Sequence, residues 1–230
     1  MHTLLDYDFL LPELVNITDG KVSDNKAAFD SDIRPTGIVV ADRDYCDYVL
    51  PGHWAGNNVF FVVRHRDNMR YTSIEERPLP GRQAQDVMID EVIEFELPNA
   101  KAKYPQRLRR IAVWNEKHWY VVEPLTNNQT LAASTIAVLY KARWEIEIFF
   151  RNLKQLLRIK SFIGTSRNAV ETQIRTAMAT VLIFSWLKHI ARYKWAPANL
   201  VASLRLNTFT KIDLVKWLDE PFTPPPDTSF

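Results

Sequence analysis

The sequence predicts an α/β protein with an antiparallel β unit inserted in its middle. Three observations carry this: a compact apolar run at residues 37–41, a stretch rich in β-branched and aromatic residues from about 66 to 128, and a change to helical period after residue 128.

The first twenty residues alternate short apolar runs with turn signals and end in Thr18-Asp19-Gly20. They suit a β-hairpin with Leu10, Leu11, Leu14, Val15 and Ile17 as strand material. Ser23 or Asp24 can cap a short helix reaching about residue 29. Gly37-Ile38-Val39-Val40-Ala41 has the composition of a strand buried on both faces, and Asp42 stands at its carboxyl end. Further strands are expected at 59–63, 87–95, 108–113 and 119–122, punctuated by Pro78, Pro80, Pro98, Pro105 and Asn115. Residues 134–160 then read as one long helix that Ser134 or Thr135 caps, and 168–193 as a second, with Gly164 between them. The run Pro221-Phe222-Thr223-Pro224-Pro225-Pro226 cannot be helical and predicts an extended or disordered tail.

Composition narrows the function classes. Of 230 residues, 47% are apolar, 24% are charged and only 6 are Gly, which excludes a disordered or collagen-like chain and leaves enough apolar surface for a sizeable core. The single cysteine, Cys46, has no partner for an intramolecular disulfide or a thiolate metal site, so a reducing cytoplasmic setting without redox chemistry is expected. Met1-His2-Thr3-Leu4-Leu5-Asp6 lacks the basic start of a signal peptide. The most apolar stretch, 178–187, is far shorter than the roughly 20 residues that a membrane span needs. No membrane partner is expected.

Charge is unevenly spread. Residues 140–175 hold eight Lys or Arg (Lys141, Arg143, Arg151, Lys154, Arg158, Lys160, Arg167, Arg175) against Glu145, Glu147 and Glu171. The rest of the chain then has 21 of the 29 bases against 24 of the 27 acids, so a basic segment sits on an acidic remainder. That asymmetry fits a polyanionic partner, and it fits a solvated helix face equally well.

The basic segment contains the motif that separates the two. At about 100° per residue on one unbroken helix, Tyr140, Arg143, Glu147 and Lys154 fall within a sector of roughly 60°, with Arg151 and Arg158 close by. Leu139, Ile146, Phe149, Leu153, Leu156 and Leu157 make the other faces apolar enough to pack. Periodicity alone leaves a simpler reading open, in which Arg143–Glu147 and Glu147–Arg151 are i,i+4 pairs contributing about 0.2–0.5 kcal/mol each.

The spacing Tyr-x2-Arg-x3-Glu-x6-Lys, filled by Tyr140, Arg143, Glu147 and Lys154, resembles the signature of the insertion-sequence-four family of DDE transposases, and its flanks from Lys141 to Val170 agree. The resemblance extends over nearly the whole chain and fades after about residue 195. It implies a ribonuclease-H-like fold carrying the β insertion: core at 1–65, β-rich insertion at 66–128, catalytic and following core helices at 129–195, and a C-terminal helical segment with the Pro-rich tail at 196–230. Glu147 would be the last acid of the catalytic triad. Val40-Ala41-Asp42-Arg43-Asp44-Tyr45 resembles the segment of the second acid, so Asp42 becomes a metal ligand; without the resemblance, Asp42 reads better as a helix N-cap.

Such acids would hold two Mg²⁺ (or Mn²⁺) ions, hard cations that prefer oxygen ligands and, about 3.5–4 Å apart, can assist an in-line displacement at phosphorus. The resemblance assigns Tyr140, Arg143 and Lys154 to phosphates of double-stranded DNA at transposon ends, which suits their donors; Arg64 resembles a family position too, and Arg151, close to the same stripe, is expected to bind DNA with them. The family's first acid lies on a strand before the segment resembling residues 1–6, so a truncated fold is expected; Asp6, Asp8 and Asp19 read as turn acids. The function expected is the catalytic domain of a bacterial transposase, cutting and joining DNA, self-associating in a DNA complex and found in the cytoplasm at the nucleoid. The alternative is a non-catalytic remnant that binds DNA or a longer transposase. Trp114 and Trp119 read chiefly as buried strand aromatics, or else as a stacking surface for a displaced base.

Overall fold

The computed structural model describes residues 2–7, 12–16, 24–29, 33–66, 69–79, 86–116, 119–157, 164 and 166–222, with the backbone alone for 14–16, 24, 25, 27 and 152–157. The chain divides into two compact units, residues 1–7 with 12–146 and residues 8–11 with 147–230.

In the first unit, β1 (His2–Leu5) and β2 (Pro12–Asn16) pair antiparallel as a two-stranded sheet, followed by α1 (Asp24–Phe29). Leu10, Leu11, Ile17, Asp8 and Asp19 lie outside the described residues.

The main sheet starts with β3 (Ile38–Ala41) and β4 (Phe60–Arg64), parallel and in register from Ile38 opposite Phe60 to Ala41 opposite Val63. A parallel pair needs a crossover, which α2 (Val49–Gly56) provides. After β4 come β5 (Tyr71–Glu76), β6 (Val87–Phe95), α3 (Pro98–Lys103), β7 (Leu108–Asn115), β8 (Tyr120–Val122) and β9 (Pro124–Thr126). The order is β3-β4-β9-β7-β6-β5, with β8 beside β7, so β9 joins the later strands to β4 in one seven-stranded mixed sheet. The protein is thus of α/β class, as the sequence predicts.

Three local expectations are corrected. β3 is not buried on both faces: among the described strands it is a sheet edge, and Ile38 is exposed while Val39 and Ala41 are buried. The long helix is interrupted: α4 (Ala133–Ala142) ends at Arg143, and α5 (Trp144–Leu157) begins beyond it. Arg143 N–H donates to Tyr140 O at 3.1 Å and Ile146 N–H to Arg143 O at 3.3 Å, and these i to i−3 bonds tighten the chain to about three residues per turn. A stripe calculated for an unbroken helix therefore does not carry across residue 143. Nor does Ser134 or Thr135 cap α4, whose N-cap is Ala132. The turn before it is organised by Asn128, whose Oδ1 accepts from the N–H groups of Thr130 and Leu131.

One core cluster packs Leu50 and Trp54 of α2 against Phe61 and Val63 of β4, with Ile93, Phe95, Tyr104 and Leu125. On the opposite sheet face, Val62, Val87 and Ile111 bury Ala133, Ile136 and Tyr140 of α4. Alternation along β4 thus sends Val62 to one helix layer and its neighbours to the other. α2 comes close to the end of α3 because residue 52 is Gly: a Cβ there would lie 2.8 Å from Lys103 O.

The second unit contains α6 (Arg167–Ile190), α7 (Pro197–Leu206) and α8 (Leu214–Asp219). Ser166 caps α6 by accepting from Ala169 N–H, and Leu187, Trp195, Leu200 and Leu218 form the core. Trp195 Nε1 donates to Leu218 O at 2.9 Å. Among the described residues, no helix is long and apolar enough to cross a membrane.

Candidate active site

Parallel β3 and β4 end side by side, and their carboxyl ends deliver Asp42 and Arg64. Such strand ends are the usual position of ligand-handling residues in α/β sheets, because side chains there leave the packed layers. Asp42 caps the 3-10 turn Arg43–Tyr45: its Oδ1 accepts Arg43 N–H at 2.7 Å. The N-cap geometry and the site role are therefore not exclusive. The second oxygen, Oδ2, stands 3.7 Å from Arg143 Nη1, beyond hydrogen-bond reach but within ion-pair distance. Asp42's side chain is 48% exposed and Arg143's 14%, so the acid is open to solvent while its cation is shielded.

α4 supplies Tyr140 and leads into Arg143. Tyr140 is buried against the sheet, and that burial pushes its phenol above the usual value; the nearby Arg143 and Arg64 cations oppose the shift, and Asp42 adds to it. The Arg143 guanidinium carbon lies 6.0 Å from the Tyr140 ring centroid and 5.2 Å from that of Trp144. Arg64 is set 5.5 Å over the ring of Tyr120, on β8. The structure thus brings Asp42, Arg64, Tyr140 and Arg143 together in the first unit.

Glu147, Arg151 and Lys154 lie on α5 within the second unit, with Glu147 partly buried, Arg151 exposed and the Lys154 side chain outside the described ones. Trp119, expected as a buried strand aromatic, is 82% exposed instead, at the turn between β7 and β8 with φ of 56°. It meets half-buried Trp114 edge to face at 6.4 Å. Sequence reasoning misses Tyr120, Trp144 and Arg66. Trp144 is discoverable as the neighbour of Arg143, whereas Tyr120 reaches Arg64 only through pairings of β8, β7, β9 and β4.

For a divalent cation, the donor type fits at Asp42. Asp42 offers a hard carboxylate oxygen, the ligand that Mg²⁺ takes. Among the described residues, no group of three or more His, Cys, Asp or Glu is placed to hold a metal ion.

Comparison with known proteins gives one consistent result. The sequence model described as "Transposase DDE domain" matches residues 1–183. A Sinorhizobium fredii protein carrying the name transposase y4zB is 34% identical over 182 residues, covering 77% of this chain and 50% of that protein. A Geobacillus stearothermophilus protein, named as a transposase for insertion sequence element IS5377, is 25% identical over 81% of this chain and 48% of its own length. A Synechocystis protein named for IS4SA is 26% identical over 91% and 59%. The chain spans about half the length of these relatives. With a family match over most of its residues, and Asp42 set at a strand end among cations, the chain belongs to the transposase DDE domain family.

Proposed function

We propose that this chain is a catalytic portion of an insertion-sequence transposase of the insertion-sequence-four type, acting in DNA cleavage and strand transfer. The observation that carries the reading is the grouping of one exposed carboxylate, Asp42, with Arg64, Tyr140 and Arg143 at the ends of two parallel strands. Arg143 and Arg64 can grip backbone phosphates of double-stranded DNA through paired N–H donors, and the Tyr140 phenol supplies a neutral one. Arg151 and Lys154 extend the cationic run along α5. Asp42 and Glu147 would hold Mg²⁺ or Mn²⁺, which when bound activates the attacking oxygen and stabilises the leaving one. Partners are transposon-end DNA and further copies of the transposase, in the bacterial cytoplasm at the nucleoid.

The cations Arg64 and Arg143 beside Tyr140 suit phosphate with or without a metal, which favours a second reading, a DNA-binding or transposase-binding protein without catalysis. Mn²⁺ titration followed by electron paramagnetic resonance separates the two. Weak binding that Asp42→Asn and Glu147→Gln each reduce supports the catalytic reading. Binding unaffected by both substitutions, with duplex DNA still bound, supports the second.

A further inference from the structure

Asp42 leaves β3 directly into the 3-10 turn Arg43–Tyr45, so its carboxylate is only as well oriented as that turn. Turns of this length are weak by themselves. The turn has just two backbone bonds of its own, Tyr45 N–H to Asp42 O and Cys46 N–H to Arg43 O, both 3.1 Å, and i to i−3 geometry is poorer than α-helical.

The neighbouring strand provides what the turn lacks. Two residues past the end of β4, Arg66 reaches back across more than twenty positions. Its Nε donates to Arg43 O at 3.0 Å and its Nη2 to Asp44 O at 2.8 Å. One planar guanidinium thus grips two consecutive carbonyls, which fixes orientation as well as distance. The base of Arg66 is itself anchored: His65 N–H donates to Glu123 O at 2.8 Å, and Arg66 N–H lies 3.3 Å from Met69 Sδ, which Cys46 Sγ approaches to 3.9 Å. Arg66 therefore ties the chain leaving β3 to the chain leaving β4, and so ties Asp42 to Arg64.

We propose that Arg66 is a positioning residue for Asp42: its two bonds to the Arg43 and Asp44 carbonyls hold the turn whose first N–H orients the Asp42 carboxylate. This rests on the reading of Asp42 as a site residue. Arg66 itself need touch neither DNA nor metal. Lys at this position would keep the charge but lose the fork, since its ammonium is a single point on a flexible stem.

The test is amide hydrogen exchange, read by NMR on the full chain, for the Arg43 and Cys46 N–H groups, together with Mn²⁺ affinity and the urea unfolding midpoint. Arg66→Ala speeds exchange at both amides by about tenfold, the share of its two lost hydrogen bonds that holds the turn closed. It also weakens Mn²⁺ binding several-fold and leaves the midpoint nearly unchanged. Arg66→Lys shows the same losses in smaller measure. Wild-type exchange at Arg43 in Arg66→Ala overturns the proposal. So does a DNA salt slope flattened by about one with Mn²⁺ affinity intact, because Arg66 would then be a phosphate contact. Asp42→Asn is the separate control: unaltered Mn²⁺ affinity in that variant refutes Asp42 as a ligand, whereas the exchange result still decides whether Arg66 holds the turn.

Discussion

Arg109 and Asp90 form a two-point ion pair in the sheet interior, with Nε on Oδ1 at 2.7 Å and Nη2 on Oδ2 at 2.6 Å and both side chains almost wholly buried. They sit diagonally across β6 and β7, where Asp90 is opposite Ile111 and Val92 opposite Arg109. Beside them, Arg110 bridges Glu91 and Glu123, and His65 Nδ1 lies 3.2 Å from Glu123 Oε2. Removing one partner leaves an uncompensated buried charge. Asp90→Ala should cost about 3–5 kcal/mol, read as a lowered urea midpoint, and the double change Asp90→Val with Arg109→Met should cost clearly less. Equal losses would show that volume, not charge, governs this position.

Two glycines of α2 should respond oppositely to alanine. At Gly52 the new Cβ meets Lys103 O at 2.8 Å, and backbone must move, so Gly52→Ala destabilises by about 1–3 kcal/mol. At Gly56 nothing lies within 4 Å and φ is not positive, so Gly56→Ala stabilises by about 0.5–1 kcal/mol by restricting the unfolded chain. Thermal unfolding of both variants checks the pair.

Burial pushes the Cys46 thiol up to about 12 from its ordinary 9.0, although Arg66 pulls the other way. Between those values the unfolded chain gives up a proton that the folded chain keeps. The stability linked to Cys46 is therefore whole below pH 9 and declines as pH rises toward 12. At neutral pH a maleimide should label Cys46 only in denaturant, because the folded thiol is both buried and protonated. Rapid labelling of the native chain would contradict the packing around β4.

Duplex DNA binding should fall steeply with salt, and Arg143→Ala should flatten the slope by about one unit, the share of a single neutralised phosphate. Lys154→Ala should do the same. Unchanged slopes in both variants would remove these residues from the DNA interface.

What the sequence discloses follows physical range. The β3 run and α6 are written in local composition, and the position of Asp42 at a strand end is legible from the apolar run before it. The break at Arg143 is hidden, as no Gly or Pro marks it, and it is seen only in i to i−3 bonds. Arg66 reading the Arg43 and Asp44 carbonyls, and Tyr120 under Arg64, depend on contacts over 22 to 56 positions, which no window of periodicity contains. The exposure of Trp119 escapes a local reading because a strand aromatic at a hairpin end has no layer above it to be buried in.

The diagonal pairing of Asp90 with Arg109 has a consequence for how the chain finds its alignment. A one-residue slip of β6 against β7 turns alternate side chains to the opposite sheet face, so Asp90 and Arg109 would be parted. An unpaired ion in the sheet interior costs several kcal/mol. Only the native alignment joins Asp90 to Arg109, so the pair specifies the register of β6 on β7 as well as filling the sheet interior.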